Sequence, residues 1–215
     1  MACSAVLFDL DGTLADTYDL ILASQRYATR TVLGRVIPDE RLMATVGIPL
    51  ADQMADYTDD PAVVDELCRV YREHNALVHD ELIKGFPGIH EALDAIVSLG
   101  AKTGIVTSKR KDAAVKVLES LDLTRFSGCL VGGTDTPLHK PHPDPVLRGC
   151  ELLGVEPSQC VYVGDSPFDI QAGNSAGCKT IAVTWGVFTQ GRLAECIPSF
   201  FACEPSQLPE LIASL

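Results

Sequence analysis

The sequence predicts an α/β fold in which helices cover both faces of a parallel β-sheet, together with a separate all-helical subdomain. Short apolar runs rich in β-branched residues recur along the chain, and stretches with helical periodicity separate them. One long interval shows helical periodicity alone. Strands that alternate with helices in this way are typical of parallel sheets.

The predicted strands are apolar along their whole length, as expected for strands that are covered on both faces. They occupy residues 5–10, 103–107, 129–131, 160–163 and 180–184. The helices between them occupy residues 88–99, 111–121 and 144–153. In such a sheet ligands bind at the carboxyl ends of the strands, so polar residues there are the first candidates for a functional site.

Residues 15–82 interrupt the alternation of strands and helices. No strand is predicted in this interval, and apolar residues recur every three or four positions, as at Val64, Leu67 and Tyr71. The interval is also acidic, with 13 Asp and Glu against six Arg and no Lys. We therefore predict two units: a core formed by residues 1–14 and 83–215, and a helical cap formed by residues 15–82.

The whole chain is acidic. Its 215 residues include 17 Lys and Arg against 29 Asp and Glu, a formal net charge of −12. This balance argues against a nucleic-acid-binding protein, because binding a phosphate backbone requires clustered Lys and Arg. A small anionic substrate remains compatible, since one or two local cations are enough for a single phosphate.

Other features of the sequence predict a cytoplasmic protein that does not enter a membrane. No apolar run approaches the roughly 18 residues of a membrane-spanning helix, and the N-terminus lacks the basic start of a signal peptide. The eight cysteines are scattered and form no C-x-x-C pair, so we expect reduced thiols and no zinc site. Cys129, Cys160 and Cys178 lie in or beside apolar runs and are expected to be buried. Both a monomer and a homodimer are compatible with the sequence.

Two carboxylates lie at the carboxyl end of the first predicted strand, in the segment FDLDGT at 8–13. Alternation along a strand would point the Asp9 and Asp11 side chains to the same side. Carboxylates this close repel one another, so they need a cation between them or a shared proton. Because apolar residues flank the pair, a functional site is favoured over a solvated strand end.

A further carboxylate, Asp165, follows the strand predicted at 160–163. If the two strands are neighbours, Asp9, Asp11 and Asp165 meet at one edge of the sheet, and such oxygen ligands suit Mg²⁺. Asp169 lies one helical turn later, where a favourable charge at a helix N-terminus and a metal ligand are about equally supported. We assign it an intermediate role, in which it supports the metal ligands without binding the ion.

Two other segments supply groups that bind phosphate. Thr107 and Ser108 end a predicted strand and precede a helix, whose first amides can bind an anion, although hydroxyl residues are also ordinary helix caps. Lys140 lies in the segment KPHPDP at 140–145, where the prolines would hold its ammonium group in place. The chain has no P-loop, no dinucleotide-binding glycine motif and no G-x-S-x-G.

In this order, the motifs resemble those of the haloacid dehalogenase-like phosphohydrolases. The matching elements are D-x-D-G-T at 9–13, Thr107, K-P-x-P at 140–143 and G-D-x-x-x-D at 164–169, with a helical cap after the first motif. The resemblance covers essentially the whole chain and is greatest to the phosphoglycolate phosphatase and pyrophosphatase-like group. It implies a Rossmann-like core and a small phosphorylated metabolite as the substrate.

The resemblance also implies a role for each carboxylate. Asp9 would attack phosphorus and form an aspartyl-phosphate. Mg²⁺ would be held by Asp9, Asp165 and the backbone carbonyl of Asp11. Asp11 would protonate the leaving oxygen and later take a proton from the attacking water.

The phosphoryl group and the rest of the substrate would be held by other residues. Thr107, Ser108 and Lys140 would bind the phosphoryl oxygens, which is most of what phosphoryl transfer requires of a protein. The loop at 45–50 is a candidate for substrate selection, and an ordinary helix–helix connection is equally supported.

The predicted function is therefore a Mg²⁺-dependent phosphatase for small, phosphoglycolate-like esters. An inorganic pyrophosphatase or a sugar-phosphate mutase on the same fold is the alternative, and a catalytically silent binding or regulatory protein is the non-enzymatic one. Mutases of the β-phosphoglucomutase type and phosphonoacetaldehyde hydrolases use a cap lysine, which residues 15–82 lack. The complete set of motif residues argues against a silent protein.

Overall fold

The computed structural model describes residues 3–215 and is built on a parallel sheet of six strands. In chain order, the strands are β1 (Ala5–Phe8), β2 (Ala15–Asp16), β3 (Lys84–Gly85), β4 (Lys102–Val106), β5 (Leu130–Val131), β6 (Cys160–Gly164), β7 (Lys179–Val183) and β8 (Phe200–Ala202). The main sheet has the order β5-β4-β1-β6-β7-β8, and all of its pairs are parallel. The predicted parallel α/β fold is confirmed.

Ten α-helices accompany the strands in the described part of the chain. They are α1 (Tyr18–Leu33), α2 (Asp39–Met43), α3 (Leu50–Ala55), α4 (Pro61–Leu82), α5 (Ile89–Ser98), α6 (Lys111–Ser120), α7 (Asp144–Leu153), α8 (Pro167–Ala176), α9 (Gln190–Ala194) and α10 (Leu208–Ala213). No helix among residues 3–215 is both long enough and apolar enough to cross a membrane.

Strand β1 shows why the sheet is covered on both faces. Val6 and Phe8 pack into an apolar cluster with residues of α5, α6 and α10. Ala5 and Leu7 point the other way and pack with residues of α7 and α8. All four side chains are fully buried, so the run has to be continuously apolar.

Helices α1–α4 form an apolar cluster of their own, separate from the two clusters of the sheet. The segment that contains them begins and ends in β2 and β3, which pair antiparallel through Ala15 with Gly85 and Asp16 with Lys84. This pairing brings the two ends of the inserted segment together. The expectation of helix alone from residue 15 onward is therefore wrong for Ala15 and Asp16.

The sheet differs from the prediction at two further points. The edge strand β8, which is three residues long, was not predicted. Strand β1 ends at Phe8 and not at residue 10, because the chain turns: the Leu10 carbonyl accepts hydrogen bonds from the amides of Thr13, Leu14 and Ala15. This early exit determines where Asp9 and Asp11 lie.

Candidate active site

The candidate site lies at the carboxyl ends of β1 and β6. These strands are neighbours in the sheet, which is the condition on which the sequence analysis brought their carboxylates together. Phe8 pairs with Val163, so Asp9 and Asp165 leave the sheet side by side. Asp9, Asp165 and Asp169 each place a carboxylate oxygen so that these oxygens all lie within 4.8 Å of one another. All three residues are buried.

Lys140 lies inside this group of carboxylates. Its Nζ donates to Asp9 Oδ1 at 2.8 Å and to Asp169 Oδ1 at 2.6 Å, and its side chain is 1% exposed. Burial disfavours the charged amine, but Asp169 and Asp9 outweigh this effect and raise the pKa of Lys140 well above its ordinary value. An ammonium ion is thus held at one position by the two carboxylates, as the rigid proline-rich segment suggested.

One ammonium does not balance three carboxylates. Burial and the charge of Asp169 raise the pKa of Asp9 well above its ordinary value in spite of Lys140. Burial and Asp169 likewise raise the pKa of Asp165 to about 7. The electrostatic repulsion would be relieved by a proton or a bound cation.

Asp165 is positioned by hydrogen bonds from two loops, one after β1 and the other after β7. Thr13 Oγ1 donates to its Oδ1 at 3.2 Å, and the Val187 amide donates to its Oδ2 at 2.9 Å. Gly12 has a φ of +82°, and a Cβ at this position would collide with the Asp165 carboxylate. The glycine of the first motif is therefore required both by the turn and by the close approach of Asp165.

Asp169 lies in the first turn of α8 and contacts several groups at once. Its Oδ2 accepts from the Ser166 amide at 3.1 Å and from the Ser166 hydroxyl, which in turn caps the helix. Its Oδ1 contacts Lys140 and lies 3.0 Å from the Tyr162 hydroxyl. Asp169 is thus a charge at a helix N-terminus, and it contacts Lys140, which in turn contacts Asp9.

The side chain of Asp11 is not part of the three-carboxylate group. Its Oδ2 pairs with Lys109 Nζ at 3.0 Å. Its Oδ1 is buried and has no hydrogen-bond partner within the described residues. The expected strand alternation does not hold here, because β1 has already ended at Phe8.

Thr107 and Ser108 follow β4, on the other side of β1 from Asp165. Thr107 is buried, and its hydroxyl accepts a hydrogen bond from the Lys109 amide at 3.1 Å. The Ser108 hydroxyl donates to the carbonyl of Gly47 at 2.6 Å. The structure therefore directs this hydroxyl to the loop at 45–50, although the sequence suggested that it binds phosphate.

The loop at 45–50 connects the helices α2 and α3, and it also rests directly on the core. Gly47 adopts a φ of +110°, and a Cβ there would lie 3.0 Å from Ser166 Oγ and 3.2 Å from a ring carbon of Phe168. The loop is a helix–helix connection, and it lies beside Ser166, which donates hydrogen bonds to Asp169. Its role in substrate selection stays a prediction.

A cavity of about 270 Å³ opens beside the first motif. Gly12, Tyr18, Phe86, Trp185 and Val187 line it, together with two acidic residues, Asp16 and Asp19. The Trp185 indole donates to the Thr13 carbonyl at 3.0 Å, which fixes one wall. A volume of this size suits a small metabolite better than the larger ligands of most binding sites.

The donor set fits a hard divalent cation. It consists of oxygen atoms alone, from closely spaced buried carboxylates whose negative charge is only partly balanced. Two contacts were not anticipated from the sequence: the ion pair of Lys109 with Asp11, and the Tyr162 hydroxyl beside Asp169. The only sequence signal for Lys109 was its place directly after Thr107 and Ser108.

Comparison with known proteins agrees with this geometry. The family model for the haloacid dehalogenase-like hydrolases matches residues 6–183. Pyrophosphatase PpaX of Bacillus cereus is 33% identical over 215 residues, which cover 100% of this chain and 99% of the relative. A Clostridium perfringens protein that also carries the name PpaX is 36% identical over 98% of both chains.

Solved structures show the same fold. A predicted phosphatase from Clostridium acetobutylicum superposes with a TM-score of 0.90 at 24% identity, covering 100% of both chains. A predicted phosphoglycolate phosphatase from Haemophilus somnus gives a TM-score of 0.87 at 23% identity, covering 97% of both chains.

Proposed function

Because the chain belongs to the haloacid dehalogenase-like hydrolase family, we propose that it is a Mg²⁺-dependent phosphatase for small phosphate esters. One observation carries the proposal: the buried carboxylate of Asp9 is held 2.8 Å from Lys140 at the same sheet edge as Asp165. This arrangement offers a nucleophile, a fixed cation and a second carboxylate in one place.

In the proposed reaction Asp9 attacks phosphorus. The hydrogen bonds of its carboxylate within the described residues involve Oδ1 alone, which leaves Oδ2 for the attack. The new bond joins Oδ2 to phosphorus as the bond to the leaving oxygen breaks, and water then hydrolyses the aspartyl-phosphate. Lys140 and Thr107 hold the phosphoryl oxygens, where charge accumulates in the transition state.

Asp11 is proposed to move the protons. Its buried Oδ1 has no partner among the described residues, so it is free to give a proton to the leaving oxygen and to take one from water. The ion pair with Lys109 fixes the other oxygen. Separation from the three-carboxylate group keeps the Asp11 side chain free for this task.

Asp9 and Asp165, with the backbone carbonyl of Asp11, would hold Mg²⁺. When bound, Mg²⁺ would offset the negative charge that otherwise repels an anionic substrate and would polarise a phosphoryl oxygen. Asp169 would act through Lys140 and not as a ligand: the Lys140 ammonium donates to its Oδ1 at 2.6 Å, between Asp169 and Asp9, and Ser166 holds its Oδ2.

The experiment is phosphate release from 2-phosphoglycolate, other small esters and pyrophosphate, with Mg²⁺ and after its removal by a chelator. We expect release that requires Mg²⁺ and is concentrated on one or a few compounds. Release that is unaffected by the chelator would contradict the assigned metal. Absence of release from every compound would favour the mutase or the catalytically silent alternative.

Inorganic pyrophosphate is the second candidate substrate, because the relatives named above are called pyrophosphatases and Lys109 lies beside the site. Its Nζ, 3.0 Å from Asp11 Oδ2, could bind a second anionic group, either the second phosphate of pyrophosphate or the carboxylate of phosphoglycolate. Lys109→Met should lower kcat/KM for both of these by about 10- to 100-fold. It should affect p-nitrophenyl phosphate, which has no second anionic group, much less. Equal losses on all three would contradict this role of Lys109.

A further inference from the structure

Three cysteines that are far apart in the sequence meet at the other end of the sheet. Cys150 lies in α7, Cys160 begins β6, and Cys178 immediately precedes β7. Their sulfur atoms all lie within 4.8 Å of one another, and all three residues are buried. No short sequence motif could have revealed this cluster, because each thiol comes from a different element.

We propose that Cys150, Cys160 and Cys178 form a binding site for one soft, monovalent metal ion of the Cu(I) class. Three thiolate sulfurs around such an ion, each about 2.3 Å from it in one plane, would be about 4.0 Å apart. The Sγ atoms of Cys150 and Cys178 are 4.0 Å apart. The third sulfur, of Cys160, lies within 4.8 Å of both.

The surroundings of the thiols favour a soft ion over a hard or four-coordinate one. Among the described residues, the potential ligands that meet here are the three sulfurs alone, without a carboxylate or an imidazole, and apolar residues such as Leu7 and Val146 surround them. Zn²⁺ prefers four ligands in a tetrahedron, and Cys129, the fourth cysteine of this apolar cluster, is not among the sulfurs that meet. Thiolates select Cu(I) by softness, and three-coordinate binding needs no further ligand.

Binding would require no change in oxidation state. Thiols lose protons to solvent as sulfur–metal bonds form, while copper and sulfur keep their oxidation states. Hydrogen bonds from Cys160 and Cys178 lower the pKa of the Cys150 thiol, which favours its thiolate form. Cys178 retains 7% exposure at the amino edge of the sheet, which gives an entering ion a route.

The proposed site is separate from the catalytic one. Cys160 is the first residue of β6, and Asp165 follows its last residue. Five residues of extended strand place the two about 16 Å apart. Metal binding at the thiols therefore has readouts that do not depend on phosphate release.

The test is an anaerobic titration of the reduced full chain with Cu(I) in competition with bicinchoninate, a coloured Cu(I) chelator. The parent protein carries Cys196→Ala and Cys203→Ala, which removes two cysteines that are not buried. We expect it to take one Cu(I) per chain from the chelator. Substituting Cys150, Cys160 or Cys178 by Ala should weaken binding by about 100-fold or more.

Cys68→Ala is the matched control, because Cys68 is also buried but lies in the α1–α4 cluster. It should leave Cu(I) affinity unchanged. The proposal is overturned if the parent leaves all copper with the chelator, or if Cys68→Ala weakens binding as much as the other substitutions. Tighter binding of Zn²⁺ than of Cu(I) would overturn the assignment to a monovalent ion.

A second measurement avoids substitutions that could disturb folding. X-ray absorption at the copper edge of the loaded parent should show three sulfur neighbours at one distance of about 2.3 Å. Nitrogen or oxygen neighbours, or two sulfurs only, would contradict the site.

Discussion

Strand β6 connects two buried clusters of opposite chemical character. At its carboxyl end, Asp165 joins Asp9 and Asp169 around the ammonium of Lys140, and all of these groups are charged or titratable. At its amino end, Cys160 meets two further thiols in an apolar layer. The two clusters are buried to a similar extent, but they require different surroundings.

The carboxylate end is stable only because other segments supply donors there. The N-terminus of α8 contributes the Ser166 amide, the chain after β7 contributes the Val187 amide, and Thr13 contributes a hydroxyl. The thiol end needs no such donors, since a neutral thiol is a small apolar group. Carboxyl ends of parallel strands face helix N-termini, so the same fold tolerates buried carboxylates at one end and favours apolar groups at the other.

The largest effect is expected from Asp9→Asn, which keeps the shape of the side chain but removes its nucleophilicity and charge. We expect phosphate release to fall by at least about 10³-fold, while thermal unfolding shows that the chain still folds. The measurement is kcat on the best substrate of the panel. Turnover within tenfold of the original would refute the nucleophile assignment.

Lys140→Met should have the next largest effect, this time on stability as well as on activity. It leaves the carboxylates of Asp9 and Asp169 buried without their cation, which costs about 3–5 kcal/mol in the free energy of unfolding. Urea denaturation at neutral pH measures this loss.

Lys84→Met is the matched control for Lys140→Met. Lys84 pairs with Asp19 at 2.7 Å, but both side chains are 55% exposed, so the loss of stability should be far smaller than for Lys140→Met. If the two substitutions lower the free energy of unfolding by similar amounts, burial does not make the Lys140 ion pairs more important for stability than the exposed Lys84 pair.

Cys160→Ala tests the other end of the same strand. It removes one buried sulfur atom, and we expect a cost of about 1 kcal/mol in the free energy of unfolding. Phosphate release should stay within about twofold of the original, because the thiol contacts no group of the catalytic site. A tenfold loss of kcat without unfolding would show that the two ends are coupled.

The comparison of the two ends also shows what the sequence can predict. Asp9 and Asp165 were identified because each follows an apolar strand, and adjacent parallel strands bring their ends together. The family resemblance is confirmed by the family model, which spans residues 6–183. Local patterns of this kind can be read from the sequence without the structure.

Contacts between distant segments could not be predicted in this way. The pairing of Lys109 with Asp11 depends on where β1 ends, and the turn after Phe8 is stabilised by backbone hydrogen bonds that leave no pattern in the sequence. The docking of the Ser108 hydroxyl on Gly47 depends on the position of an inserted segment relative to the core. The three thiols appeared to be independent small apolar residues, because they share no element and no spacing.

His79 is a buried titratable residue outside the two clusters, and its substitution is expected to have the smallest effect on stability. It is buried in the last turn of α4, with Nε2 3.1 Å from the Ser120 hydroxyl of α6. Burial, and then the nearby Lys116, lower the pKa of His79 below its ordinary value of 6.5, although Asp80 opposes this. At pH 8 the His79 ring is therefore a buried neutral group, like the three thiols. At low pH it becomes a buried charge that is not compensated, like the carboxylates.

The sign of the expected pH dependence follows from proton binding. Between the lowered pKa in the folded chain and 6.5, the unfolded chain binds more protons at this residue, so stability decreases as the pH falls through that window. His79→Gln should remove this contribution from urea denaturation curves measured between pH 8 and pH 5. His142→Gln, at an exposed position, should leave the slope unchanged. If His79→Gln also leaves the slope unchanged, His79 becomes charged as readily in the folded chain as in the unfolded one. Burial between these two helices would then not disfavour the charged form, in contrast to burial at Asp9.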